Sequence, residues 1–203
     1  MEQSMIKDLT TGSVGKELLR FAFPFMLSNA LQTIYNLVDM VVVGQFVGSS
    51  GLSAVSIGGQ IVWLLSCIAI GYSSGGQIFI SQLVGAGDRA GIKRTIGTLF
   101  PVIAAISILF TGVGIAFHGP LLTLLNTPQE AMEQASDYVV ICSAGMFFVY
   151  GYNTVSAVLL GMGDSTRPFL FIAIAAVLNV ILDLIFVGPL GMETAGAALA
   201  TTI

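Results

Sequence analysis

The sequence predicts an all-α, polytopic membrane protein, and three observations carry that expectation. Only 9% of the 203 residues are charged, against about 25% in soluble domains. The apolar residues gather into uninterrupted runs of about 20, the length a helix needs to cross a bilayer. All seven Lys and Arg residues fall on alternate connections between those runs. A transmembrane β-barrel is excluded, because its strands alternate in hydrophobicity over about ten residues.

The first span covers 18–43, with Arg20 at its start and Asp39 near its end. Pro24 lies inside it. Proline removes the hydrogen bond to the carbonyl of Arg20 and clashes with that turn, so a kink or hinge is expected there. The second span, 52–84, sits in a stretch without a single charge. The third, 95–117, and the fourth, 138–160, are uncharged throughout, and the fifth, 168–187, is charged only at Asp183. A sixth begins near 194 and has about ten residues in the given sequence, too few to cross, so it is expected to be truncated. Residues 1–203 thus read as one transmembrane unit.

Orientation follows from the basic residues. Lys7, Lys16 and Arg20 lie before or at the start of the first span; Arg89, Lys93 and Arg94 lie between the second and third; Arg167 lies between the fourth and fifth. The connections 44–51, 118–137 and 188–193 contain neither Lys nor Arg. The positive-inside rule makes the basic side cytoplasmic. The N-terminus is therefore expected inside, in a multi-pass protein of the cell membrane and its lipid bilayer. Glu130, Glu133, Asp137 and Glu193 fall outside.

Several function classes are disfavoured. The thinly spread basic residues form no stripe for nucleic acid. No short apolar leader with a small-residue cleavage site opens the chain. Cys67 and Cys142 lie in apolar runs and read as small buried hydrophobes. "GAGDRAG" (85–91) follows no strand and lacks the Gly-Lys-Ser/Thr of a phosphate loop, so it reads as a helix end and turn. "GMGDSTRPF" (161–169) reads alike, with Pro168 suited to a first helical turn. His118 reads as an interfacial residue. No nucleophile–base set or metal-ligand spacing points to an enzyme, and no cofactor is implied beyond a possible Na⁺.

Asp39 and Asp183 stand out. Each lies about five residues before the outer end of its span, at similar depth. "VDMVVVG" (38–44) echoes "LDLIFVG" (182–188). An ionised Asp costs about 2.5–3.5 kcal/mol at a membrane-helix centre and less near the interface. A lone acid can snorkel outward. Two at matched depth, each accompanied by an Asn (Asn36 and Asn179), fit a shared pocket better. Tyr35 precedes Asp39 by one turn and Gln32 precedes Asn36 by one turn, making a polar stripe. Such a stripe belongs against the bundle interior or a water-filled cavity. A cation, either H⁺ or Na⁺, would neutralise the pair.

At these residues the chain resembles the multidrug and toxic compound extrusion (MATE) family, most closely its DinF-like branch. "LTTGSVGKELLRFAFPFMLSNALQTIYNLVDMVVVGQFVG" resembles the family's first helix and outer turn. "SQLVGAGD", "LLGMGDSTRP" and "LNVILDLIFVGPLGMETAGAALAT" resemble its later helix ends in the same order. The resemblance implies the N-terminal six-helix lobe of a twelve-helix transporter, with the C-terminal lobe missing. It implies exchange of H⁺ or Na⁺ for small amphiphilic, often cationic, substrates. It places Asp39 and Asp183 in a cation site with Asn179 and Thr201, and Tyr35, Tyr138 and Asn153 around the same chamber. Helix counting sets Asn153 nearer the cytoplasm, so a bent helix or intervening water would have to connect it. Alternatives are a lipid or lipid-linked oligosaccharide flippase of the same superfamily, whose lobe often carries basic residues absent from these spans, and a non-transporting membrane fragment.

Overall fold

The computed structural model describes residues 13–203. Lys7 and the opening "LTTG" up to Gly12 lie outside the described residues. Six helices follow in order: α1 Val14–Phe46, α2 Ser49–Gly85, α3 Arg89–Leu124, α4 Gln129–Gly161, α5 Thr166–Phe186 and α6 Glu193–Thr202. All six expected segments are helical, and the first five helices are longer at one or both ends. Hydropathy marks only the apolar stretch, whereas a helix runs on to its caps. The 36 residues of α3 make about 54 Å, against a hydrocarbon core of about 30 Å. Arg89, Lys93 and Arg94 therefore occupy the first turns of α3, and Glu130, Glu133 and Asp137 those of α4.

Among the described residues, α2, α3, α4 and α5 are long and apolar enough to cross a membrane. The 33-residue α1 is long enough, but Asn29, Gln32, Asn36 and Asp39 dilute its apolar character.

The α2–α3 and α4–α5 turns are built alike. Gly87 and Gly163 adopt φ of 70° and 86°, the left-handed conformation that glycine takes without a Cβ clash. The amide of Asp88 donates to the Leu83 carbonyl at 3.0 Å, and that of Asp164 to the Leu159 carbonyl at 2.9 Å. Each aspartate then caps the next helix. Asp88 Oδ1 accepts from the Gly91 amide at 2.8 Å. Asp164 Oδ1 accepts from the Thr166 and Arg167 amides at 3.0 and 3.2 Å.

Helix α4 is the hub, packing broadly on α2, α3 and α6, while α1 packs chiefly on α5. One core joins Ile61 and Leu65 of α2, Ile103 and Leu122 of α3, and Val139, Met146 and Tyr150 of α4. A second joins Val42 and Val43 of α1 to Tyr138 and Cys142 of α4 and to Ala197 and Ala198 of α6. Lipid tails are as apolar as Leu, so close approach and interhelical hydrogen bonds hold such a bundle together. A Cβ on Gly161 would lie 2.8 Å from the Gln77 carbonyl oxygen, so only glycine lets α4 approach α2 there. Tyr150 Oη donates to the Leu65 carbonyl at 2.6 Å, and Ser73 and Thr154 share a hydrogen bond at 3.3 Å. At the opposite end Gln134 Nε2 donates to Glu193 Oε2 at 2.9 Å, and Thr194 Oγ1 to the Gln134 carbonyl at 3.1 Å.

Candidate functional site

Asp39 and Asp183 come together between α1 and α5, but their helices end differently. α1 continues for seven residues past Asp39, to Phe46, whereas α5 stops three residues past Asp183, at Phe186. The expected equal distance of about five residues is thus corrected. The echoed motif is followed by Gln45 in one case and by Pro189 in the other. Proline cannot donate to a helix and disfavours the helical region for the residue before it, so α5 closes early.

Asp183 is fully buried, and Asp39 and Asn179 are 5% and 6% exposed. Asp39 Oδ1, both Asp183 oxygens and both polar atoms of Asn179 have no hydrogen-bond partner among the described residues. Leaving one buried polar atom unpaired costs about 1–3 kcal/mol, and more if it is charged. The two carboxylates lie within electrostatic reach of one another, and Tyr138 of α4 lies within reach of both. Cys142, one turn further along α4, faces Asp39 and Tyr138; both cysteines are free thiols. Among the described residues no three His, Cys, Asp or Glu side chains cluster as a metal site. The donors at the acid pair are hard oxygens, which suit H⁺ or a hard cation such as Na⁺.

A cavity of about 260 Å³ between α1, α5 and α6 is lined by Tyr35, Asn179 and Thr201 together with Leu178 and Ala200, and by neither carboxylate. Thr201 Oγ1 donates to the Ala197 carbonyl at 3.0 Å and keeps lone pairs for a ligand. Gln32 and Asn153 lie elsewhere. They line a second cavity, of about 240 Å³, between α1, α2, α4 and α5, with Asn153 Nδ2 donating to the Val149 carbonyl at 2.8 Å. Asn36 is exposed. The polar stripe of α1 therefore divides. The four span one arc of about 100°: Tyr35 and Asp39 lie toward the acid pair, Gln32 lines the second cavity two turns before Asp39, and Asn36, at one edge of the arc, is exposed.

Pro24 sits in a continuous α1, where Ser28 Oγ donates to its carbonyl at 2.9 Å. It lines a groove with Arg20, Phe23 and Thr166. Two further prolines, Pro101 and Pro120, lie inside α3. Cys142 is the small buried side chain expected from the sequence, whereas Cys67 is only partly buried; the serines of the second cavity were missed. Small polar residues at helical spacing, Ser73 and Gln77 on α2 and Tyr152, Asn153 and Ser156 on α4, were the available signal.

A bundle of long apolar helices with orphaned carboxylates buried at a helix interface defines an integral membrane protein with an internal polar site. Comparison with known proteins makes the class specific. The family model MatE matches residues 24–185, and the chain belongs to that family. The probable multidrug resistance protein YpnP of Bacillus subtilis is 35% identical over 196 residues, covering 97% of this chain and 44% of that protein. The FAD transporter of Shewanella oneidensis is 28% identical, covering 95% and 43%. A solved outward-facing multidrug resistance MATE family transporter of the MOP superfamily superimposes with a TM-score of 0.89 at 28% identity, covering 94% of this chain and 42% of that one. The chain spans less than half the length of the relatives it matches.

Proposed function

We propose that this chain forms the N-terminal lobe of a secondary active exporter that exchanges H⁺ or Na⁺ for small amphiphilic, often cationic, compounds by alternating access. The observation that carries the reading is the set of unpartnered, buried polar atoms on Asp39, Asp183 and Asn179. Such a set is costly in a membrane unless a cation completes it. Thr201 and Tyr35 border the site, Tyr138 closes it from α4, and Pro24 supplies a point where α1 can bend. The lobe sits in the cell membrane with its N-terminus cytoplasmic and works with a second lobe that completes the substrate path. The name of the Shewanella relative widens the substrate range to be tested.

The test is efflux from proteoliposomes by the full-length transporter under an imposed H⁺ or Na⁺ gradient. Asp39→Asn and Asp183→Asn should each abolish gradient-driven efflux, and the double variant should be hardly worse, as for residues acting as a unit. Near-normal coupled efflux in either single variant would make the pair structural and end the reading.

A further inference from the structure

We infer that the cavity bounded by Gln32, Ser73, Gln77, Asn153, Ser156 and Ser165 is the route by which the coupling cation, as a hydrated H⁺ or Na⁺, passes from the acid pair to the cytoplasm. This rests on the cation-site reading above and adds the path to it.

Four helices contribute to this cavity, and every polar group on its wall is a hydroxyl or an amide; none is charged. At about 240 Å³ it has room for several water molecules. Ser156 lines it at 9% exposure, and Ser156 Oγ has no hydrogen-bond partner among the described residues. Phe25, Ile70, Ala157, Leu160 and Ile172 supply the apolar part of the wall, while the hydroxyls and amides supply the two to four polar partners that a buried water needs.

Position gives the cavity its direction. Its lower edge is Ser165 and Pro168, at the start of α5 beside the Asp164 cap, on the side that carries the basic residues. Its upper edge is Gln32 and Tyr152. Gln32 lies seven residues before Asp39, about 10 Å along α1. Tyr35 spans that interval, within reach of Gln32, Tyr152 and Asp39 together, and it also lines the cavity holding Asn179 and Thr201. Tyr35 is thus the partition between the two cavities. An uncharged polar wall is what a release path needs, since a fixed charge would trap the ion and an apolar wall would refuse it.

The experiment uses the full-length transporter, with ethidium as the exported probe. Single cysteines at Ser74, on the cavity wall, and at Ser156 are treated with the impermeant cationic thiol reagent MTSET on inside-out and right-side-out vesicles. Cytoplasmic-side modification at least tenfold faster than at Ile78→Cys, an exposed position on the same helix, is expected at both. Ser156→Leu should slow gradient-driven efflux at least tenfold while H⁺ or Na⁺ still competes with ethidium for binding. Modification from the outside only, or wild-type efflux in Ser156→Leu, overturns the route. If Ser156→Leu does not fold, the side of cysteine access decides. If Asp39→Asn loses cation competition while Ser156→Leu transports normally, the route alone is discarded. If Asp39→Asn keeps cation competition, the site reading itself fails.

Discussion

Replacing Asp183 by Asn should raise the thermal stability of the full-length transporter while removing its coupled transport. The side chain is fully buried and neither oxygen has a hydrogen-bond partner among the described residues. On insertion scales an Asp costs about 2.5–3.5 kcal/mol at a helix centre and less toward the end. Asp183 lies three residues from the last residue of α5, so about 1–2 kcal/mol is the fitting share of that penalty. Asn keeps the shape and one acceptor and removes the charge. For a lobe of 150–250 residues that unfolds as its own unit, each kcal/mol moves the midpoint by about 2–4 °C, giving a rise of roughly 2–8 °C in the transition of this lobe. Unfolding in detergent at pH 8.5, followed by intrinsic fluorescence, measures it. A variant less stable than wild type at pH 8.5 would refute the reasoning, because it would mean the carboxylate has a stabilising partner.

Asp164→Ala should lower stability by about 1 kcal/mol through loss of the α5 cap, and Asp164→Asn should restore most of it in the same thermal assay. Gly161→Ala should destabilise by about 1–3 kcal/mol through overpacking against the Gln77 carbonyl, whereas Gly59→Ala, whose Cβ would meet nothing within 4 Å, should be close to neutral. Cysteines introduced at Ser49 and Glu133 should react with an impermeant reagent outside intact cells and one at Ala90 should not; labelling of Ala90→Cys would reverse the orientation.

The helices were legible because long apolar runs in a membrane protein fold as helices; each of the six expected segments overlies a helix, and four of those are long and apolar enough to cross a membrane. Their ends were less so. Nothing in hydropathy distinguishes the polar first turns of α3, with Arg89 and Lys93, from a loop. Asp39 and Asp183 were legible as charges in an apolar field. The division of the α1 stripe was not, since whether Asn36 meets α5 or faces away depends on how α1 rolls against its neighbour, and that is set by packing between distant segments. Asn153 illustrates the same limit. Its distance from the acids followed from counting residues, but the second cavity it lines needed four helices to be placed at once.

The packing of α4 has a mechanical consequence. With α2, α3 and α6 gathered on α4, α2 pinned to it by Tyr150 and Thr154, α3 by Thr111 Oγ1 donating to the Ser143 carbonyl, and α6 by Gln134, four helices make a stiff block. The pair α1–α5 leans on that block like a lever on a fulcrum, and both carboxylates ride on the lever. On the proposed reading, a cation bound between them would clamp the lever's two members, and the seam with the block is where the load would be relieved.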